Sequence, residues 1–203
     1  SNTVLFQLIA ALAERVDACC GGEGPPPVEL APRVTGIRPG NAATVPDSWA
    51  QEPTLTLGFD QEMALTDLEN PEDWLRVWWF PYWGPVDFGE LQRIKVHLAD
   101  PGGGTAPTYR AEPIPAERFT VVVQLSGDGP ITAAATGLNL DAEFAGTALT
   151  SVLAEELWEI DNATPGTDLA QAIVTQGFGT LPSGNGQPGG AWFSSFFRLG
   201  PVQ

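Results

Sequence analysis

Two periodicities divide the chain. Residues 3–18, TVLFQLIAALAERVDA, place Leu5, Leu8, Ile9, Leu12 and Val16 at i, i+3, i+4, i+7 and i+11, which is one face of a helix. Asn2 or Thr3 can cap its start. Val4 and Phe6 widen the apolar face beyond what a lone solvated helix tolerates, so this segment is predicted to dock on something. Residues 19–32, CCGGEGPPPVELAP, read as a tether: glycines make the first half flexible, and Pro25, Pro26 and Pro27 extend the second.

From Arg33 the period becomes two. RVTGIR (33–38) and TLTLGF (54–59) alternate, with Val34, Ile37, Leu55, Leu57 and Phe59 as inward candidates. DWLRVWWF (73–80) and LQRIKVHL (91–98) follow. In the latter, Ile94, Val96 and Leu98 face one way and Arg93, Lys95 and His97 the other. FTVVVQL (119–125) is continuous and β-branched, as in a central strand buried on both faces. A further strand is expected within 133–146 and a last one over 191–199, AWFSSFFRL. Residues 148–176 break the pattern. They contain TSVLAEELWEIDN, read as a second helix with Leu153, Leu157 and Ile160 on one side, inserted before the last strand. Short strands separated by Gly/Pro turns predict a mostly β protein, a β-sandwich. The divisions are a docking helix (1–18), a linker (19–32) and a sandwich (33–203).

Composition sharpens this picture. The 203 residues carry 9 Lys+Arg against 25 Asp+Glu, a formal charge of −16, with 43% hydrophobic residues. That core is large enough for folding, and the 23 Gly and 19 Pro leave little room for long helices. Nucleic acid binding is excluded, because a strongly acidic chain cannot present the basic face that displaces counterions. No apolar run is long enough for a membrane span. The only cysteines, Cys19 and Cys20, are adjacent and lie outside the expected core, so no disulfide staples the sandwich. CCGGEGPPP after an apolar stretch suggests a lipoprotein start, but Glu14, Arg15 and Asp17 interrupt that stretch and no basic residue precedes it. The expectation is therefore no evident signal peptide and a component of an assembled particle or an exposed surface structure, with a slight tilt toward a particle assembled inside the cell.

Several motifs resemble the bacterial Ig-like domains first recognised in the surface-layer protein SbsA. PRVTGIRPGNAATVP (32–46) is similar to that family's opening strand and turn. TLTLGFDQEM (54–63) fits its Phe-Ser/Asp-x-x-Met signature through Phe59, Asp60 and Met63, and NPEDWLRV (70–77) fits its Asn-Pro-x-x-Phe/Trp element. The family's closing Leu-Asp-Gly-Glu-Phe-x-Gly-Thr and Pro-Ser-Gly-Asn-Gly elements are split here into LDAEFAGT (140–147) and FGTLPSGNGQPGGAWFSSFFRL (178–199), with Ala142 in place of Gly. The resemblance covers about 32–199. It implies an Ig-like sandwich acting as a spacer, adhesion or assembly module, and it implies no catalytic residues.

The densest chemical feature is VWWFPYWGPVDF (77–88). Alternation sends Trp79 to one face and Trp78 and Phe80 to the other, and Pro81 ends regular pairing. Trp78, Trp79, Tyr82 and Trp83 are candidates for an exposed platform that binds a protein or a sugar; the competing reading is that these rings cover the core and anchor the N-terminal helix. DLENPED (67–73), LDAE (140–143) and SGDG (126–129) could offer oxygen ligands to calcium, but none has EF-hand spacing and a solvated acidic face is the simpler reading. No metal or other cofactor is expected. His97, the only histidine, sits beside Arg93 and Lys95 and reads as surface. No carboxylate pair is singled out by spacing for hydrolysis. PSGNGQPGG (182–190) reads as a turn, not a phosphate loop. Asn162-Ala163-Thr164 matches the glycosylation acceptor pattern, a short match that carries little weight. The resulting expectation is a non-enzymatic assembly subunit that engages neighbours, copies of itself or other subunits, through the helix and the aromatic cluster. The alternative is a carbohydrate-binding or adhesion module.

Overall fold

The computed structural model describes residues 29–80, 92–114, 119–143 and 181–200. Among them, strands β1 (Val34–Arg38), β2 (Ala43–Val45), β3 (Thr54–Phe59), β4 (Leu75–Phe80), β5 (Gln92–Ile94), β6 (Val96–Asp100), β7 (Thr108–Ala111), β8 (Phe119–Ser126) and β9 (Ala191–Leu199) build two sheets. One has four strands in the order β1-β3-β7-β6, the other five in the order β2-β9-β8-β4-β5. Pairing is antiparallel except between β2 and β9, which run parallel. The protein is mostly β, as the alternation predicts.

The core lies between the sheets. Val34, Ile37, Leu55, Leu57 and Phe59 from the first sheet meet Leu75, Val77, Val121, Val123 and Phe197 from the second, all buried. Trp74 sits between Phe59 and Tyr109, both edge-on, with ring centroids at 6.4 and 5.9 Å. Its indole N–H donates to the Asp67 carbonyl (2.9 Å), and the Tyr109 hydroxyl donates to the Leu68 carbonyl (3.3 Å). These bonds tie the short helix α1 (Leu65–Leu68) to the core while satisfying the polar tips of two buried rings. Removal of Tyr109 from water pushes its phenol well above the ordinary range.

Several expectations need correction. LQRIKVHL is not one strand. Pairing breaks at Lys95, and the chain passes from the five-stranded sheet (β5) to the four-stranded one (β6) while Ile94 stays buried and Lys95 and His97 stay exposed. The alternation was legible; the change of sheet was not. Within 133–143 there is no strand, only isolated bridges such as Met63↔Ala133 and Asp141↔Gly189. Strands β2 and β7 were not anticipated, being three and four residues long. Ala31 and Pro32, expected at the end of the linker, are buried. The helix expected over 3–18 and the helical insertion expected over about 148–176 lie outside the described residues.

Candidate functional site

The five-stranded sheet differs in chemistry from the rest of the chain. Its strands hold Arg76, Arg93 and Arg198 and not one Asp or Glu, in a chain with 25 acids and 9 bases. Register places all three arginines on the face that points away from the other sheet. Trp78 pairs with Arg93 on one side and Val122 on the other, and Val122 pairs with Phe196. The row to one side is Arg76, Gln124 and Ser194, and the row to the other side includes Thr120, Arg198 and Thr44. Trp78, Val122, Thr120, Gln124 and Ser194 have no accessible surface, and Phe196 has 4%.

The centre of this outer face is therefore buried, while Arg76, Arg93 and Arg198 around it are half-buried and Thr44 is exposed. Its central residues Trp78, Val122 and Phe196 do not belong to the cluster between the sheets. The cause is local sequence. In β8 a continuous run of apolar and small polar side chains leaves neither face fit for water, and all eight residues are buried. The Arg198 guanidinium lies 5.6 Å from the centroid of the Phe196 ring, and Gln124 Nε2 donates to Ser194 Oγ (3.4 Å).

Trp78 and Trp79 take opposite faces, as alternation requires. Trp78 is fully buried between the Arg93 and Val122 positions, so it is not part of an exposed platform, and that expectation is corrected. Trp79 is half-buried on the core side, edge-to-face with Phe119 at 5.9 Å and 73°. It lines a cleft of about 270 Å³ with Gln92, Arg93, Lys95, Glu112 and Ile114. An indole wall with hydrogen-bonding groups around it suits a ligand that has both an apolar face and hydroxyls. Leu5, Leu8, Ile9, Leu12, Val16, Tyr82 and Trp83 lie outside the described residues. His97 is exposed on β6, paired in register with Arg110.

A second arrangement sits at the end of the sandwich where β9 begins. Asp141 is fully buried, and its carboxylate accepts the backbone N–H of Gly186 and that of Glu143 (3.4 Å). Ser183 Oγ donates to the Asp141 carbonyl and accepts from the Val34 N–H (2.9 Å). The chain on either side is cross-paired: Gly184 N–H to the Glu143 carbonyl (3.1 Å), Ala142 N–H to Gly189 (3.2 Å) and Phe193 N–H to Ala142 (3.0 Å). LDAE and PSGNGQPGG are thus neighbours in space although 38 residues separate Glu143 from Pro182. A Cβ on Gly184 would collide with the Asp141 carboxylate, so only glycine fits. Sequence reasoning singled out LDAE as an acidic stretch and PSGNGQPGG as a turn, but nothing in either stretch signals that the Asp141 carboxylate holds that turn.

The other acidic stretches also hold turns. Asp67 accepts from Thr132 N–H (3.0 Å) and Oγ1 (2.7 Å), and Asp128 accepts from Gly190 N–H (3.1 Å). Among the described residues no helix is long and apolar enough to cross a membrane.

The chain matches no protein-family model, no curated protein and no solved structure. Function must be read from geometry.

Proposed function

We propose that this chain is an Ig-like module of the SbsA type with a structural, non-enzymatic role as a subunit of a particle, filament or surface layer. The strand order supports the fold: β1-β3-β7-β6 corresponds to A-B-E-D of an Ig sandwich, and β9-β8-β4-β5 to G-F-C-C′. The contact between LDAE and PSGNGQPGG supports the resemblance, since these are the two halves of its split closing motif.

One observation carries the assembly role. The chain upstream of Glu29 joins the sandwich beside Asp141 and Gly189, at the end where β9 starts. Residues 81–91, which contain Tyr82 and Trp83, join it at the opposite end, where the last residue of β4 pairs with Thr120 near the start of β8. The eight residues of β8 set these ends about 24 Å apart, at ~3.4 Å per residue. The two segments expected to engage neighbours therefore leave the sandwich from opposite ends, which suits head-to-tail association, the contact type that builds rings and filaments.

Light scattering after size exclusion tests this on the full chain and on a version lacking residues 1–24. A defined oligomer or filament that becomes monomeric on truncation is the expected result. Two monomers of equal stability would remove the proposal. The cleft beside Trp79 favours a second reading, a carbohydrate-binding module. It requires glycan binding that Trp79→Ala abolishes without changing the oligomeric state.

A further inference from the structure

We infer that the cleft beside Trp79 selects an anionic sugar, a single hydroxyl-bearing ring that carries a carboxylate. This deepens the carbohydrate reading of the cleft and rests on it. The site is built where the chain crosses from one sheet to the other. Trp79 and Gln92 pair across β4 and β5, Lys95 marks the crossing from β5 to β6, and Glu112 and Ile114 follow β7. The Ile114 N–H donates to the Ala50 carbonyl (3.0 Å), and the Trp79 ring packs edge-on against Phe119, so the walls are fixed before any ligand arrives. A volume of about 270 Å³ falls just below the ~300–1,000 Å³ of sites for drug-sized ligands, which leaves room for one ring-sized unit at a time.

Charge selects the carboxylate. The chain has 25 acids and 9 bases, yet the cleft is lined by two bases and one acid, and one of those bases, Lys95, is the chain's only lysine. Arg93 is half-buried and held in place, its guanidinium donating to the Glu72 carbonyl (3.4 Å). Lys95 is the adaptable charge. Its ammonium lies 3.9 Å from the Glu72 carboxylate with both side chains largely exposed, a contact for which water competes and which an incoming anion can share. Register sets Lys95 beside Glu112, since Val96 pairs with Ala111, but the two form no ion pair. Gln92 and Glu112 are exposed, and their side chains make no hydrogen bond with described residues, which leaves both to meet hydroxyl groups. The indole and Ile114 supply the apolar wall for the ring, and Arg93 and Lys95 supply charge-assisted donors for its carboxylate. An uncharged sugar would use the wall and the acceptors but leave both cations to water.

Titration of the full chain at neutral pH with methyl β-glucuronide and with methyl β-glucoside tests this, because the two differ only in a carboxylate for a hydroxymethyl group. The readout is the indole N–H resonance of Trp79, identified by its loss in Trp79→Phe. The glucuronide should shift it saturably, with a Kd at least about fivefold below that of the glucoside, the scale of one exposed charge contact. Lys95→Glu should bring the two Kd values together or reverse their order, and because the Lys95 side chain is 87% exposed the substitution leaves the fold intact. Equal affinities in the native chain, or a glucuronide preference unchanged in Lys95→Glu, would overturn the anionic selectivity while leaving the carbohydrate reading standing. Failure of both sugars to move the resonance would remove the carbohydrate reading itself, and this inference with it.

Discussion

The two sheets solve the same problem differently. The four-stranded sheet is amphipathic: β3 alternates buried and half-exposed residues, and its outward positions carry Thr54 and Thr56, with Arg110 and His97 exposed on the neighbouring strands. The five-stranded sheet is also buried at the centre of its outer face, where the outward positions carry Trp78, Val122, Gln124 and Phe196. A sheet with one wet face needs only the partner across the core. A sheet whose outer face is also dry at its centre needs a second partner. What separates them is therefore a demand for a further layer, which makes the outer face of the second sheet the more informative surface.

The sharpest way to break the comparison is to treat that outer face as a core. Trp78→Ala should destabilise by about 3–5 kcal/mol, the range for emptying a buried aromatic site. Phe193→Ala, between the sheets, should cost about as much. Urea denaturation measures both. If Trp78→Ala fell below 1 kcal/mol, the outer face would be a surface and the contrast would collapse. The clamp that closes this end of the sandwich comes next. Asp141→Ala leaves the part-buried Gly186 and Glu143 N–H groups without their acceptor, for a loss of about 2–4 kcal/mol at ~1–2 kcal/mol per group. Asp141→Asn, which keeps an acceptor, should lose less than half of that.

How much of this was legible in the sequence follows from what each signal measures. Alternation reports which side of a strand is dry, so Val34, Leu55, Leu57 and Phe59 were readable one by one. The unbroken FTVVVQL reported burial on both faces of β8 and was read that way. A strand paired beside one that is dry on both faces shares its cover, which moves Trp78 from surface platform to interior. Pairing order was invisible because it depends on contacts between distant segments. The jump from β5 to β6 at Lys95 keeps the local alternation intact, so periodicity could not report it. The Asp141 clamp was hidden for a related reason, since its two halves lie about forty residues apart.

Tyr109 offers a pH-dependent test of the space between the sheets. Burial raises its folded-state pKa above the unfolded value near 10, so the phenol keeps its proton in the folded chain while the unfolded chain loses it. Its contribution is complete below about pH 10 and declines as pH rises beyond that, by about 1.4 kcal/mol per pH unit for one proton. Urea midpoints between pH 8 and 11, for the native chain minus Tyr109→Phe, should be level at first and then fall. A level difference throughout would mean that the phenol is in contact with water.

The smallest effect belongs to the wet face, and its smallness is what makes it useful. Thr56 and Thr108 are directly paired across β3 and β7, with hydroxyl oxygens 3.0 Å apart and both side chains half-exposed. Water competes for each hydroxyl, so removing one partner leaves no buried group unsatisfied. A double-mutant cycle to alanine should therefore return a coupling of about 0.2–1 kcal/mol, the range for a cross-strand pair on a solvated face. The matched cycle across β8 and β9, Gln124 with Ser194, involves two side chains without accessible surface and should give a larger coupling. Their bond is longer, 3.4 Å, so geometry alone ranks it below the threonine pair; only exclusion of water can reverse that order. Equal couplings would show that the two outer faces are equally wet, whatever their composition.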